Sequence, residues 1–324
     1  MDIKMIKDLD YGIYQDRVLR FLQDNDQYTI FHDPRFLSYH KTSMKPIENY
    51  TFLDIFIESS GNILAYLPGG IDTASNTYIS HKGASFAGPV FSKHLKIDEK
   101  IKIMKYILDC LMTEGIECCH IKLTPDFYYN SQELQWVLHE LGFNGKDKDA
   151  TVYLPLHDDV SLASFSSSTR RNIKKGQQSS YHIQKNTDLE IFYKILLSNR
   201  EKFSTPPTHS YKNLEYIQKK CPDAFTFFIL FSENIPVAGM GMFHIANDVI
   251  NLFYPCHLRE YSYLKPNNVL LFEIINWAKD NQFKGIDFGP SNSGNILNID
   301  LIKYKLGYGG DLQLRYSYYK RLSE

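Results

Sequence analysis

The pentapeptide Leu141-Gly142-Phe143-Asn144-Gly145 returns near the end of the chain as Leu306-Gly307-Tyr308-Gly309-Gly310. A repeated helix ending constrains a fold more than composition does, because a duplicated unit fixes the order of its elements twice. The match extends backwards from both copies. "IESSGNILAYLP" (57–68) reads as strand, turn, strand, and "LFSENIPVAGMG" (230–241) reads the same way, turning at Glu233-Asn234-Ile235-Pro236. A long helix follows in each half. The first carries Ile101, Met104, Leu108 and Leu111 at helical spacing, with Asp98 as its expected N-cap. The second, "PNNVLLFEIINWAKDN" (266–281), is apolar on most sides and opens on Pro266.

A short strand comes next, "CCHIKLTP" (118–125) or "KGIDFGP" (284–290), and then a second helix. Its apolar stripe is Leu134, Val137, Leu138 and Leu141 in one copy, and Ile299, Ile302 and Leu306 in the other. Gly142 and Gly307 are both expected just past the helix end, in the left-handed conformation that glycine adopts at little cost. "ATVYLPL" (150–156) and "LQLRYSYY" (312–319) close the two series. The shared order predicts an α/β chain with mixed sheets (α+β), built as two tandem copies over 1–156 and 157–324. The polar stretch "HDDVS" marks the junction.

Composition narrows the functions. With 324 residues, 43% hydrophobic and 14% aromatic, the chain can fill two cores. No apolar run approaches the ~20 residues of a membrane span, and "MDIKMIKDLDYGIYQD" lacks the basic start of a signal peptide. A cytoplasmic location and no integral-membrane segment are expected. Cys110, Cys118, Cys119, Cys221 and Cys256 form no Cys-x-x-Cys pair and no zinc spacing, so no metal is expected and a reducing compartment fits. The net charge of −1 argues against DNA binding. Residues 1–156 hold 16 Lys+Arg against 21 Asp+Glu, a net of −5, and residues 157–324 hold 20 against 16, a net of +4. Anionic ligands should favour the second half.

Three features single out that half. "SSSTRRNIKKG" (166–176) sets Arg170, Arg171, Lys174 and Lys175 within six residues, behind serines able to cap a helix. Such a cluster suits phosphate or pyrophosphate, although most basic helix faces are simply solvated. "YLKPNNV" (263–269) places Lys265 and Asn267 or Asn268 at a helix start, where free N–H groups favour anions, though a plain Pro-started helix is commoner. "DFGPSNSGN" (287–295) forms a loop at a strand's carboxyl end, with Asp287 at the strand end and Ser291 in the loop. Lys303 and Lys305 follow on the next helix. Lys305 stands where the first copy has Glu140, and a surface position would explain either lysine as simply.

At these residues the chain resembles a family. Tyr304-Lys305-Leu306-Gly307-Tyr308-Gly309-Gly310 is similar to the aromatic-Lys-x-Gly-aromatic-Gly motif of FemAB-type transferases, the peptidoglycan-bridge aminoacyltransferases and acyltransferase relatives within the GNAT superfamily. "IDFGPS" resembles the strand end before that motif, "STRRNIKKG" the basic helix that opens the family's second domain, and "SFAGPV" (85–90) a strand of the first. The likeness covers nearly the whole chain, more strongly over 160–320. It implies two tandem GNAT-like (acyl-CoA N-acyltransferase-like) domains with the active site in the second. Two family features are missing: a long helical arm in the second domain, and the glycine-containing pyrophosphate loop, since "YSYLKPNN" has no glycine.

The resemblance implies direct transfer of an acyl or aminoacyl group to an amine of a cell-envelope, glycan or peptide precursor. The donor is acyl-CoA or aminoacyl-tRNA, so tRNA is a possible partner, and no cofactor is held tightly. The amine must lose a proton and the intermediate's oxyanion needs donors. Lys305 is expected to stabilise the transferred carbonyl, or to hold the donor's acyl end, with Lys305→Ala costing turnover and little stability. Arg170, Arg171 and Lys174 would hold a phosphate, with Lys265, Asn268 and Ser291 in the same site. Asp287 is a candidate base, ranked behind a role in capping its loop. Tyr254 could protonate a leaving group but equally suits a core. His244 and His257 suit core or surface. No Ser-His-Asp or Cys-His pattern is evident, in keeping with direct transfer. The alternatives are a non-catalytic module binding an anionic glycan or nucleotide-sugar, and transfer to a lipid headgroup.

Overall fold

The computed structural model describes residues 4–6, 11–42, 47–201, 204–246, 248–293 and 296–323. Residues 294 and 295 of the expected 288–295 loop lie outside them. The chain divides into two compact units, Met1–Lys148 with Leu314–Glu324, and Asp149–Gln313.

In the first unit the strands are β1 (Lys4–Ile6), β2 (Tyr50–Phe52), β3 (Ile55–Ser59), β4 (Asn62–Leu67), β5 (Gly70–Asp72), β6 (Thr77–Ile79), β7 (Val90–Phe91) and β8 (Cys118–Lys122). Its helices are α1 (Tyr11–Gln23), α2 (Pro34–Leu37), α3 (Tyr39–Thr42), α4 (Ile97–Thr113) and α5 (Gln132–Glu140). The strands form two sheets, β1-β3-β4-β7 and a second that runs β8-β6-β5-β2. Ile103, Met104, Ile107 and Leu111 of α4 are buried with Ile55, Leu67 and Tyr78. The helix starts at Ile97, before the expected cap Asp98; Glu99 accepts the Lys96 N–H (2.9 Å) and satisfies that end instead.

Between the first unit and the second runs β9 (Asn144–Pro155). The second unit continues with α6 (Ser167–Gly176), β10 (Tyr181–Lys185), α7 (Leu189–Glu201), α8 (Tyr211–Lys220), β11 (Phe225–Ser232), β12 (Ile235–Ala246) and β13 (Val249–His257). It ends with α9 (Pro266–Asp280), β14 (Gly285–Pro290), β15 (Asn292–Ser293), β16 (Ile296–Leu297) and α10 (Ile299–Leu306), and β17 (Asp311–Arg321) leads out of it. Its main sheet runs β10-β11-β12-β13-β14-β9. α9 buries Val269, Leu270, Leu271, Ile274, Ile275 and Ala278, which explains its apolarity on most sides. Each such large side chain removed from water contributes about 1.5–3 kcal/mol before entropy is charged against it.

The closing strands are exchanged relative to the sequence expectation. The 157–324 series ends in β17, yet β17 pairs with β8 of the first unit, Ser317 opposite Lys122 and Arg321 opposite Cys118. The 1–156 series ends in β9, yet β9 pairs with β14 of the second, Pro155 opposite Gly285. The unit boundary therefore falls inside β9 rather than at residue 156.

The two glycine endings also differ. Gly142 has φ +77°, as expected for a left-handed cap. Gly307 has φ −59° and continues the helical conformation, and the left-handed residue is Gly309 at φ +87°. Glycine is needed at 307 for another reason. A Cβ there would stand 2.5 Å from Thr169 Oγ1 and 3.1 Å from Ser166 Oγ, and the Gly307 carbonyl accepts the Ser166 N–H (2.8 Å). Close approach of α6 to the end of α10 replaces dihedral freedom as the constraint.

Candidate active site

β13 and β14 run parallel, with Val249, Ile250 and Asn251 opposite Gly285, Ile286 and Asp287. The pairing stops there. β13 runs on to His257 along β12, while Pro290 of β14 turns to Thr151 of β9. Two parallel neighbours joined by a helical crossover thus part at their carboxyl ends, where α/β sheets place their ligands. β13 also carries a bulge at Phe253, because Met242 and Gly241 of β12 face Leu252 and Tyr254. Such a bulge leaves one residue's main chain out of the ladder and bends the strand.

Asp287 is fully buried at the point of parting. Its carboxylate accepts from Thr151 Oγ1 (2.6 Å), Asn251 Nδ2 (2.9 Å) and the Gly289 N–H (2.8 Å). It therefore caps the turn after β14, where Gly289 takes φ +71°. Lys305 reaches the same turn from α10. Its Nζ donates to Gly289 O (2.6 Å), Pro290 O (3.0 Å) and Ser291 Oγ (2.9 Å), and the residue is 6% exposed. Ser291 is anchored a third way, its N–H on Ala150 O (2.7 Å). Asp287, Ser291 and Lys305 are thus gathered around residues 289–291. Thr151 and Asn251, which sequence reasoning missed, complete the cluster. The available signal was the lone amide in "VINLFY", in register with Asp287.

At the start of α9, Lys265 sits in the left-handed region (φ 53°, ψ 41°), and Pro266 opens the helix as expected. Asn268 is buried and its Nδ2 donates to Tyr308 Oη (2.8 Å), which pairs with Tyr304 Oη (3.3 Å). Burial raises the Tyr308 hydroxyl well above its ordinary pKa, so it stays protonated. The Asn268 amide expected at a phosphate is occupied by that hydroxyl. His257, at the carboxyl end of β13, meets Asn267 Nδ2 through Nδ1 (3.1 Å) and Ser262 Oγ through Nε2 (3.2 Å). Tyr254 is placed apart from these groups: fully buried, with its oxygen bonded to the His209 N–H (2.9 Å) and His209 Nδ1 (2.6 Å). Burial raises its pKa too. His244 is part-buried, against the ring of Phe283.

α6 is a helix over Ser167–Gly176, capped by Ser166, whose Oγ accepts the Thr169 N–H (3.2 Å). Ser167, Arg170, Arg171, Lys174, Lys175 and Gln178 line a groove of about 400 Å³. Arg170 also donates to the carbonyls of Ala163 (3.1 Å) and Phe165, which fixes the chain entering the helix. Arg171, Lys174 and Lys175 are exposed and make no ion pair among the described residues. No cluster of metal-ligating side chains occurs among those residues.

Residues 163–306 match the family model of the acetyltransferase (GNAT) domain. With the parted strands and the helical crossover between them, that match gives the second unit the fold of a GNAT acetyltransferase domain, within a chain of mixed α/β fold. No curated protein matches the sequence. Among solved structures the chain is similar in fold to FemX, with TM-score 0.69 at 11% identity over 98% of this chain and 97% of that one. The C-terminal domain of a putative lysylphosphatidylglycerol synthetase from Agrobacterium fabrum gives 0.63 at 10% identity, over 96% and 92%. A tandem GNAT protein from the clavulanic acid biosynthesis pathway gives 0.54 at 8%, over 99% of both chains. The chain thus shares its fold with FemX and with a tandem GNAT protein.

Proposed function

We propose that the protein transfers an acyl or aminoacyl group directly to an amine of a cell-envelope, glycan or peptide precursor, using the crevice where β13 and β14 part. The observation that carries this reading is the buried Asp287–Lys305 frame around residues 289–291, which fixes one wall of that crevice within the segment that matches a GNAT domain. Lys305 acts as a positioning residue. Its three N–H groups are engaged by the turn, so direct stabilisation of a carbonyl would require Nζ to exchange one of those bonds for substrate. The main chain at the Phe253 bulge is our choice of oxyanion donor. The α6 groove receives the phosphates of the donor or acceptor, with Arg171 and Lys174 as its exposed cations.

A second reading, a module that binds an anionic glycan or nucleotide-sugar, is favoured by one observation: the two charged groups expected in the chemistry both hold protein partners. Mass spectrometry of co-purified ligands, then thermal-shift and turnover assays with acyl-CoAs and aminoacyl-tRNAs, separates the two. A transferred acyl group on an amine supports the enzyme. Saturable binding of a glycan or nucleotide-sugar, with no transfer from any donor, supports the module.

A further inference from the structure

His257, Ser262 and Asn267 follow one another at a spacing of five residues, and the fold brings their side chains together. His257 closes β13, Ser262 lies in a 3₁₀ turn over Arg259–Leu264, and Asn267 is in the first turn of α9. The imidazole joins the other two. Its Nε2 meets Ser262 Oγ at 3.2 Å, and its Nδ1 meets the Asn267 amide at 3.1 Å. A hydroxyl within hydrogen-bond reach of an imidazole whose other nitrogen is held by a third group is the arrangement of a serine nucleophile and its base. No sequence signal marked it, because a spacing of five fits neither the helical nor the strand period.

The base is fixed through its own main chain. The His257 carbonyl accepts Asn199 Nδ2 (2.9 Å), and the Leu258 N–H donates to Val237 O (2.9 Å). Ser262 is half-buried beside Tyr263, which is 62% exposed, so the turn is open to solvent. Lys265, between the turn and α9, holds φ 53°, a conformation that residues other than glycine seldom take and that clusters at functional sites. α9 opens directly after it, and the positive end of a helix favours negative charge developing on an attacked carbonyl.

Two tautomers compete. With Asn267 Nδ2 donating to Nδ1, Nε2–H donates to Ser262 Oγ and the hydroxyl donates to Arg259 O (2.6 Å), which only staples the turn. With the amide turned over, Oδ1 accepts Nδ1–H and Nε2 accepts the serine proton. The first leaves Asn267 Oδ1 buried without a hydrogen-bond partner among the described residues, and the second puts Nδ2 in that place. Neither orientation satisfies the amide, so neither is locked. We propose that the second makes Ser262 a nucleophile, which takes an acyl group from an activated ester or thioester and releases it to water. Oγ bonds to the acyl carbon while its proton passes to His257 Nε2 and on to the departing alkoxide or thiolate. Water then cleaves the serine ester, giving a carboxylic acid and returning the proton to Oγ. This hydrolysis goes beyond direct transfer to an amine and is scored without an amine, so either reading can fail alone.

The test is intact-mass spectrometry of the full chain after p-nitrophenyl acetate, with release of p-nitrophenolate followed in time. One acetyl group per chain, mapped to Ser262 and formed in a burst, is expected. Ser262→Ala should lose the adduct and His257→Gln should form it about 10²-fold more slowly, both with the melting temperature kept. Asn267→Asp reads the relay itself. A carboxylate only accepts, so it holds the proton on Nδ1 and should speed acylation about tenfold. Absence of a Ser262 adduct in both the unaltered protein and Asn267→Asp overturns the proposal. So does an adduct that forms as fast in His257→Gln as in the unaltered protein.

Discussion

The α-carbon of Gly307 lies so near Thr169 that a methyl group on it would stand 2.5 Å from the threonine hydroxyl. This contact fixes the end of α10 against the start of α6. Gly307→Ala should therefore destabilise by about 1–3 kcal/mol through overpacking. Gly142→Ala should cost a similar ~1–2 kcal/mol for an unrelated reason, its φ of +77°. Denaturant titration of a double-mutant cycle separates the causes. Thr169→Ala should recover part of the Gly307→Ala loss and none of the Gly142→Ala loss. Equal recovery of both would show that the contact is not what the glycine serves.

Lys305→Met keeps the aliphatic bulk and removes three donors. Ser291 Oγ and Pro290 O then lose the lysine, while Gly289 O keeps Thr151 Oγ1 (2.8 Å), at a cost of about 1–3 kcal/mol. The sequence alone suggested that this lysine could be lost with little change in stability; its burial makes stability and turnover fall together. If the turn shapes the reacting centre, kcat should drop by about 10² while α6 keeps its affinity for pyrophosphate. Unchanged stability with lost turnover would instead return Lys305 to a direct role on substrate.

Asp287→Asn puts an NH₂ in place of one carboxylate oxygen, facing either Asn251 Nδ2 or the Gly289 N–H with Thr151 Oγ1, whichever way the amide turns. One donor at least is left facing another. A loss of about 2–3 kcal/mol is expected by chemical denaturation. Asn251→Asp should be harsher still, because it buries two carboxylates side by side. A neutral Asp287→Asn would remove the capping role assigned to this carboxylate.

Acid should weaken the first unit through His32. Its Nε2–H donates to Gly88 O (3.0 Å), so Nδ1 accepts from Thr29 N (3.2 Å) and Oγ1 (2.8 Å), which requires the neutral ring. Burial lowers its pKa from 6.5 to about 4. The unfolded chain binds the proton first, so the stabilisation is complete above about pH 6.5 and is lost as pH falls towards about 4. The full swing is roughly 3 kcal/mol. His40, also lowered to about 4 by burial, adds in the same direction. The slope of unfolding free energy between pH 6.5 and 4.5 should flatten in His32→Gln. An unchanged slope would place the acid sensitivity elsewhere.

The capped helix at Ser166 and the crossover helix opening on Pro266 lie where hydrophobic spacing and turn residues, which are local signals, put them, but the hairpins do not lead straight into the long helices: β5, β6 and β7 precede α4, and β13 precedes α9. Partners across the sheet were not legible. Thr151 and Asn251 meet Asp287 only through strand neighbours set by tertiary pairing, and the lone amide in "VINLFY" marks a polar residue without naming its partner. The direction of Lys305 was concealed by the apolar residues around it, since a stripe of leucine and isoleucine ordinarily points inward. The Gly307 ending misled for a similar reason: two identical Leu-Gly pairs serve a dihedral in one place and a close approach in the other.

The exchange of closing strands bears on how the chain is made. Residues 314–324 complete the first unit, so the chain as far as about residue 321 must leave the ribosome before β8 can gain its neighbour β17. The amino-terminal half must wait with an open sheet edge, which invites mispairing in the interval. Neither half can be cut out as one continuous piece: a fragment of residues 157–324 lacks the strand that borders β14 and carries one that belongs to the other unit. Two fragments expressed together, rather than either alone, are the form in which a divided version of this protein should recover its fold.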